Sequence, residues 1–483
     1  MPIVNNIKNA ETVIILKDTY KLLITLFFVI QLASCLITKL RKSLKALSFC
    51  SGIALCSLVV DAGTLTPEER EYTISSIAEL MEEKYVYPQL GKAMADYINE
   101  QKKNGRYAAI TNNQRLAERL TEDLLSITND QHIAVLFDPF RVTNLLRRQQ
   151  NSSQVALNEN TLLNLKRDNY GFKAVQILSG NIGYLNLTSF VHTKYTSAAE
   201  KAVAAMNYLA DTDALIIDLR RNGGGEHSMI QLISSYLFHT DPVHLNNFYW
   251  RNGERTEQIW TLPFVPGKRM PEIPVYILTS KDTFSAAEEF AYNLKNLKRA
   301  TLIGEVTGGG AHPVDFKVIN GEFILVVPIG RAINPISHTN WEGVGVKPNI
   351  VVTANKALLR ARVTALDELA RKGVSAKYHQ WHLRKAKAEL VKISIPSKIL
   401  KEYVGNYGVR NLTYDDGSLY YHRNGNSKQK LLPLARDLFQ LSNVDNFRIK
   451  IIKRDNKVIA IKALYADGRS EENVKVLNKD KII

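Results

Sequence analysis

The sequence predicts a mixed α/β protein of several domains, and three observations support that prediction. The chain has 483 residues, which at roughly 150 residues per domain allows two or three domains. Short apolar runs alternate with helical stretches from Tyr170 to Gly330, the pattern of a layered α/β core. Helical patterns precede this core, and short strand-like runs separated by DG or DN turns follow it. The composition, 45% hydrophobic and 23% charged, excludes a disordered, collagen-like or coiled-coil chain.

The first 62 residues predict a targeting segment. A basic stretch, KLRKSLK at 39–45, precedes an apolar stretch at Ala46 to Val60, and small residues lead up to Ala62. This order is typical of a secretory signal peptide, here cleaved after Ala62. The apolar segments are shorter than the roughly 20 residues that a membrane span needs.

Two alternatives for this region stay open. LASC at 32–35 resembles a lipoprotein box, which would make Cys35 a lipid-anchored N-terminus, and translation could instead start near Lys39. In each case we expect a protein that is exported to the periplasm or secreted, with membrane association only through this segment. The three cysteines, Cys35, Cys50 and Cys56, all lie here, so a cysteine nucleophile or zinc-thiolate site elsewhere is excluded.

Five segments are expected along the chain. TPEE at 66–69 combines an N-cap with an early proline and carboxylates, and begins the first helix. The tyrosines of the segment 397–483 fit packing within a sheet better than a ligand-binding surface. The expected segments are a signal or anchor region at 1–62, a helical N-terminal subdomain at 63–139, an α/β core at 140–353, a helical connector at 354–396 and an antiparallel β-module at 397–483, which resembles small lipocalin-like domains.

Ser285 is the first candidate for chemistry. The segment VYILTSKDTFSAAEEFAYNLKN, 275–296, reads as an apolar strand, a short polar turn and a helix that Ser285 opens. A serine at such a junction lies beside the unpaired amides of the helix start, which can stabilise an oxyanion after nucleophilic attack. The same pattern also fits a plain helix cap.

A glycine run is the second candidate. DLRRNGGG follows the apolar run ALII, and Gly223, Gly224 and Gly225 would let backbone amides approach a ligand closely. Neither GxxxxGK[ST] nor a properly spaced GxGxxG is present, so nucleotide binding is not predicted.

Four motifs in one order carry a family resemblance. DLRRNGGG, TSKDTFSAAEEFA, GEVTGGGAHP and WEGVGVKPNI follow one another between residues 218 and 350. The chain resembles the serine peptidase superfamily that includes the tricorn protease core, the C-terminal processing peptidases and the interphotoreceptor retinoid-binding protein modules. The resemblance covers residues 64–353 and implies a ClpP/crotonase-like layered core. With only about 30 residues between the helical domain and the core, no PDZ-like insertion is expected, so selection of substrates by their C-terminal tails is not predicted.

The resemblance also assigns roles. Ser285 falls on the nucleophile, and the amides of Ala286 and Gly224, or alternatively Gly223, fall on the oxyanion hole. Gly310 stands where the processing peptidases have their lysine base. The tricorn-like branch uses a histidine instead, and His132 falls there.

The glutamate of the tricorn-like branch falls on Glu342. Gln131 replaces the serine that precedes the histidine in that branch. A neutral imidazole can take the serine proton at neutral pH, and a carboxylate can orient it. His338 is the next candidate for the base after His132. The other residues expected to line the cleft are Gln131, Gly223, His227, Gly309, Gly310 and His312, together with His338.

The predicted activity is that of an exported serine endopeptidase acting on peptides or proteins through an acyl-enzyme. No cofactor or metal is expected, because no HExxH or CxxC spacing occurs. The oligomeric state is not predicted. One rival is a non-catalytic binding protein on a peptidase-derived scaffold. Nucleic acid is not the expected partner, although the chain's formal charge of +16 leaves salt-dependent binding to an anionic surface as a further rival.

Overall fold

The structure is a computed structural model that describes residues 65–150, 159–371, 373–424 and 426–476. The predicted signal or anchor region, with Cys35, Cys50, Cys56 and the expected cleavage after Ala62, lies outside the described residues. Within the described ranges, no helix has the length and apolarity needed to cross a membrane.

Three helices form the first described part. The Thr66 hydroxyl accepts a hydrogen bond from the Glu69 amide, and the Glu69 carboxylate accepts one from the Thr66 amide, which is a reciprocal N-terminal cap. Ile74, Ile77 and Met81 recur at helical spacing and are buried. The helices are α1 (Pro67–Lys84), α2 (Pro88–Lys103) and α3 (Asn113–Leu125).

The α/β core follows, with strands and helices interleaved. Its elements are β1 (Ala134–Phe137), α4 (Pro139–Gln150), α5 (Glu159–Arg167), β2 (Phe172–Leu178), β3 (Ile182–Leu187), α6 (Thr196–Tyr208), β4 (Ala214–Asp218), α7 (His227–Ser235), β5 (His244–Trp250), β6 (Arg255–Trp260), β7 (Val275–Thr279), α8 (Ala286–Asn296), β8 (Ala300–Gly304), β9 (Val314–Val318), β10 (Phe323–Pro328), β11 (Gly330–Ile333) and β12 (Ile350–Val351). Two helices continue from it, α9 (Ala354–Leu369) and α10 (Ala376–Val391).

The central sheet has six strands in the order β12-β8-β7-β4-β3-β2, all parallel except the pair β2 and β3. All residues of β4 and β7 are buried, as expected of strands covered on both faces. Ile217 and Phe290 belong to the apolar cluster on one face, and Ile216 and Leu366 to the cluster on the other. The sheet is therefore sandwiched between α6–α8 and α9–α10.

Two smaller antiparallel sheets flank the core. In the first, β1 pairs with β10, which pairs with β9, and Phe323 and Leu325 of β10 pack in the same cluster as the helices α1–α3. The second has the order β11-β5-β6. The sequence predicts no strands at 244–260, because polar and aromatic residues mix there and the apolar pattern is weak.

The last part is an antiparallel sheet whose eight strands pair in sequence order. Tyr403, Tyr407 and Tyr421 are buried in its interior, so these aromatic residues pack the sheet. A short helix, α11 (Ser397–Glu402), precedes the strands β13 (Gly405–Tyr407), β14 (Arg410–Asp415), β15 (Ser418–Arg423), β16 (Gln429–Ala435), β17 (Leu438–Leu441), β18 (Phe447–Arg454), β19 (Lys457–Tyr465) and β20 (Ser470–Val474). The predicted fold class, mixed α/β with a C-terminal antiparallel sheet, is confirmed.

Candidate active site

Three loops meet at the carboxyl ends of neighbouring strands in the central sheet. The strands β4, β7 and β8 are parallel neighbours, so the loops that follow Asp218, Thr279 and Gly304 leave the sheet on the same side. These loops carry the first glycine run, Ser285 and the second glycine run. The topology therefore brings together motifs that lie up to 90 positions apart in the chain.

Ser285 occupies the turn between β7 and α8. Its backbone has φ 56° and ψ −122°, a region that residues with a side chain rarely adopt and that marks a strained turn. Its amide donates to the Glu288 carboxylate at 2.8 Å. Ser285 is the residue before α8 and lies at the positive end of the helix dipole. The amides of Ala287 and Glu288 donate to the carbonyls of Phe284 and Ser285.

Glu288 ties that turn to the second glycine loop. The fully buried carboxylate accepts hydrogen bonds from the Thr307 hydroxyl, the Gly309 amide at 2.7 Å and the Gly310 amide at 2.8 Å, besides that of Ser285. Burial raises the pKa of Glu288, and its four donors partly offset that rise. One side chain therefore positions the helix start and the loop together.

Gly224 lies against the start of α8. A Cβ built on it would come within 2.8 Å of the Ser285 Cβ and 3.1 Å of the Ala286 nitrogen, so the position requires a glycine, as does its φ of 107°. The Gly224 amide donates to Asn222 Oδ1 at 2.9 Å, an engagement that the sequence analysis did not anticipate. Gly223 is exposed and does not line the cavity beside Ser285.

His132 reaches the same edge from the loop before β1. The pairing of β1 with β10 brings it to the second glycine loop, and its ring packs on that of Phe284 with 4.7 Å between centroids. A Cβ built on Gly310 would lie 2.5 Å from His132 Cε1. The same Cβ would lie still closer to Phe284 Cζ. The rings of His132 and Phe284 therefore fill the space into which a side chain at position 310 would project, and a lysine there is sterically incompatible with this arrangement.

The environment of His132 keeps its imidazole neutral. Burial lowers the pKa of His132 to about 4, although the nearby Asp130 charge acts in the opposite direction. The Nδ1 atom is buried without a hydrogen-bond partner among the described residues and lies 3.9 Å from Asp130 Oδ1. At neutral pH this side chain can accept a proton.

Asp130 is the centre of a buried network that the sequence analysis missed. Its Oδ2 accepts from the Tyr85 hydroxyl at 3.0 Å and contacts His312 Nδ1 at 2.6 Å, and its Oδ1 accepts from the His132 amide at 3.1 Å. Burial opposes ionisation of Asp130, but the hydrogen bond with His312 and the other polar contacts hold its pKa below the usual range. A carboxylate two positions before the histidine was the only signal for it in the sequence.

Glu342 is the second carboxylate near His312. Its Oε2 accepts from the Ala311 amide at 2.5 Å and is 3.5 Å from His312 Nδ1, while its Oε1 is buried without a partner among the described residues. Burial and the Asp130 charge raise the pKa of Glu342 to about 7. Glu342 is thus near the histidines, as the resemblance implied, but Asp130 makes the shorter contacts with them.

One cluster of described residues has the spacing of metal ligands. One atom each of Asp130, His132 and Glu342 lies within 4.8 Å of the others. The Asp130 oxygens accept hydrogen bonds from the Tyr85 hydroxyl and the His132 amide, so Asp130 joins this cluster to the surrounding polar network.

A cavity of about 430 Å³ opens beside Ser285. The predicted residues that line it are Ser285, His132, Ala286, His227, Gly310 and His312. Gln131 and His338 are exposed and lie outside this lining, and Gln131 donates to the Asn129 carbonyl instead. Gly309 does not line the cavity either, and its amide donates to the Glu288 carboxylate.

Comparison with known proteins agrees with this architecture. A model described as peptidase family S41 matches residues 181–352. A second, described as the N-terminal domain of peptidase S41 in eukaryotic IRBP, matches residues 67–162. The two matches cover the three-helix part with the loop of His132 and the sheet with the loops of Gly224, Ser285 and Glu342.

Two curated relatives illustrate the similarity. A carboxy-terminal-processing protease of Bartonella bacilliformis is 26% identical over 204 residues, 39% of this chain and 43% of that protein. The chloroplastic carboxyl-terminal-processing peptidase 2 of Arabidopsis thaliana is 31% identical over 172 residues, 35% of this chain and 32% of that protein. The chain therefore matches less than half the length of these relatives. The solved structure of the tricorn protease aligns with a TM-score of 0.42 at 14% identity, covering 63% of this chain and 37% of that one. Residues 67–162 and 181–352 are therefore domains of the peptidase S41 family.

Proposed function

We propose that this protein is an exported serine endopeptidase whose nucleophile is Ser285. In the first step His132 takes the Ser285 proton while the oxygen attacks the scissile carbonyl. The tetrahedral intermediate collapses as His132 protonates the leaving amine, and an acyl-enzyme remains. Water, deprotonated by His132, then releases the acid and restores the serine.

The observation that carries this proposal is the steric exclusion at Gly310. The family's lysine base would project from this position, and here the His132 ring occupies that space next to Phe284 and the Ser285 turn. A neutral, buried imidazole that lines the same cavity as Ser285 has the protonation state that a general base needs. Asp130 supplies the negative charge that stabilises the imidazolium formed during the reaction, and Glu342, whose pKa is raised to about 7, adds to it only when ionised.

The oxyanion is assigned to the amides of Ala286 and Gly224. Ala286 follows Ser285 at the start of α8, and Gly224 packs so closely that a Cβ built on it would lie 2.8 Å from Ser285 Cβ. The helix dipole adds to the stabilisation there. Because the Gly224 amide donates to Asn222 in this structure, the oxyanion has to compete with that side chain for the proton.

A fluorophosphonate probe tests the nucleophile. We expect stoichiometric labelling of the folded protein at pH 7.5 and none in Ser285→Ala, since the probe reacts only with an activated serine. Absence of labelling in the folded wild type would favour the rival reading, a binding protein on a peptidase-derived scaffold.

The labelling rate also distinguishes the two histidines. His132→Ala removes the base and should slow labelling by about 10³-fold, whereas His312→Ala only weakens the support of Asp130 and should slow it by about tenfold. The reverse order would assign the base to His312, whose Nδ1 contacts Asp130 and whose Nε2 is buried without a partner among the described residues.

Export is proposed from residues 1–62, whose basic and apolar stretches are typical of a signal peptide. Mass spectrometry of the protein recovered from the envelope of a bacterial host should find Gly63 as the first residue. A lipid-modified Cys35 as the first residue would support the anchored alternative instead.

A further inference from the structure

One acidic group in the cavity has no role in the proposed mechanism. Glu289 lies four residues after Ser285 on α8, on the same helix face and about 6 Å further along the axis. It lines the cavity although it is only 4% exposed. A second glutamate, Glu226, also lines the cavity, and no lysine or arginine is among its described lining residues, in a chain with a net charge of +16.

The contacts of Glu289 leave its charge without a counterion. Its carboxylate accepts from Asn246 Nδ2 at 3.2 Å, a neutral donor, and among the described residues no cationic group acts on it. Asn246 is fully buried, and its Oδ1 has no partner among the described residues. The Asn293 side chain is the other neutral amide that acts on Glu289. The Glu289 carboxylate and the Asn246 Oδ1 atom therefore converge at the cavity among neutral amide groups, with no cation to balance the charge.

Aromatic rings line the cavity beside Glu289. Asn246, Phe248 and Trp250 alternate along β5 and so share one face of the strand, and Phe248, Trp250 and Trp341 line the cavity. An apolar aromatic wall with a carboxylate at its end complements a side chain that has an aliphatic stem and a cationic head.

We infer that Glu289 is a specificity-determining residue that selects substrates with a lysine or arginine side chain next to the scissile bond. The flexible stem of such a side chain would extend along Phe248 while its head pairs with Glu289 and donates to Asn246 Oδ1. This inference rests on the proposed peptidase function for the position of the scissile bond, but the cation site itself does not depend on catalysis.

The first test is therefore a binding measurement on the catalytically inactive Ser285→Ala protein. Titration calorimetry with benzamidine, a cation, should detect binding that weakens at least tenfold when Glu289→Gln is added, while the neutral isostere benzamide should bind weakly to both. Equal binding of benzamidine to the two proteins, or no binding to Ser285→Ala, would overturn the inference.

The second test uses three fluorogenic peptides that differ only in Lys, Arg or Leu at the cleaved position. In the wild type we expect kcat/KM to favour Lys and Arg over Leu by at least tenfold, and Glu289→Gln to remove that preference. Glu200→Gln, an exposed glutamate on α6 outside the cavity, is the matched control and should keep it. Glu289→Asp keeps the negative charge on a shorter side chain, so the preference should shift from Lys towards Arg. This shift would not arise from a folding defect, so it controls for one in the Gln variant.

The outcomes separate the two proposals. Cleavage of the Leu peptide at least as fast as the others would overturn the specificity but leave the peptidase. Absence of any cleavage together with absence of fluorophosphonate labelling would overturn the peptidase, and the benzamidine titration would then decide on the cation site alone.

Discussion

At the residue scale, Gly310 and His132 compete for one space. A methyl group added at 310 would lie 2.5 Å from His132 Cε1 and still closer to Phe284 Cζ, and these two rings pack on each other. We expect Gly310→Ala to displace the His132 ring and to lower kcat/KM by about 100-fold, the effect of an error of about 1 Å in the placement of a catalytic group.

Gly321 provides the control for that substitution, because no atom lies within 4 Å of a Cβ built there. Gly321→Ala should keep full activity. A Gly310→Ala protein as active as Gly321→Ala would mean that His132 is not the base in this position.

The pH dependence of the rate follows from the burial of His132. Because its pKa is lowered to about 4, the base stays unprotonated well below the usual histidine range, so kcat/KM should be half-maximal below pH 6. The Asp130 charge favours protonation of His132. Asp130→Asn should therefore move the fall of kcat/KM at acid pH to still lower pH. It should also reduce the maximum by about tenfold or more, because an orienting carboxylate is lost. A limb centred near pH 6.5 in the wild type would contradict this account.

Glu289 makes stability depend on pH. Burial raises its pKa to about 7 in the folded protein from 4.5, so the folded state binds a proton that the unfolded state has already lost between these values. Stability from this group is therefore present below about pH 4.5 and is lost as the pH rises towards 7 and above.

Glu289→Gln should consequently raise the free energy of unfolding at pH 8 by about 2–3 kcal/mol relative to its effect at pH 5. Denaturant titrations of both proteins at the two pH values measure the difference. An effect of equal size at both values would show that the carboxylate ionises normally in the folded protein.

At the element scale, the start of α8 and the second glycine loop behave as one unit because Glu288 bonds to both. A Gln at position 288 has one carbonyl oxygen, and its NH₂ group would face backbone donors. Glu288→Gln should therefore cost about 2–4 kcal/mol of unfolding free energy and lower kcat/KM far more than Glu289→Gln does for the Leu peptide. Chemical denaturation and peptide hydrolysis together check this, and unchanged values in both would refute the role of Glu288.

The elements also show what could be predicted from the sequence. The apolar runs at 214–220 and 275–280 predicted β4 and β7, and the polar turn before a helical pattern predicted that Ser285 begins α8. The hairpin β5–β6 was missed, since HLNNFYW follows no simple alternation of polar and apolar residues.

The remaining site residues needed the tertiary structure. Asp130 gains its role from the pairing of β1 with β10, a contact between residues nearly 200 positions apart, which local patterns cannot reveal. The engagement of the Gly224 amide by Asn222 depends on a loop conformation, and Glu288 and Glu289 looked like ordinary acidic residues in the first turn of a helix.

At the scale of the whole molecule, the C-terminal sheet docks away from the cavity. Asp445 pairs with Lys385 of α10 and contacts Ser179 in the turn before β3, at the opposite edge of the sheet from the loops that carry Ser285. None of the described residues that line the cavity belongs to the C-terminal sheet.

Asp445→Ala should therefore reduce stability and spare catalysis. We expect a loss of about 1 kcal/mol, since the carboxylate is partly exposed, and an unchanged kcat/KM. Asp467→Ala, which removes an exposed pair with Arg469 within the same sheet, should change neither quantity measurably. A drop in kcat/KM for Asp445→Ala alone would indicate coupling between the C-terminal sheet and the site.

The central claim is that Ser285 forms a covalent acyl intermediate with the help of His132. The most direct measurement is acid quenching of the reaction with a 4-nitrophenyl ester, followed by mass spectrometry of the peptides. We predict a burst of one nitrophenolate per chain and an acyl group on Ser285, with the burst slowed by about 10³-fold in His132→Ala. A folded protein that shows no burst, or that carries the acyl group on another residue, would contradict the account.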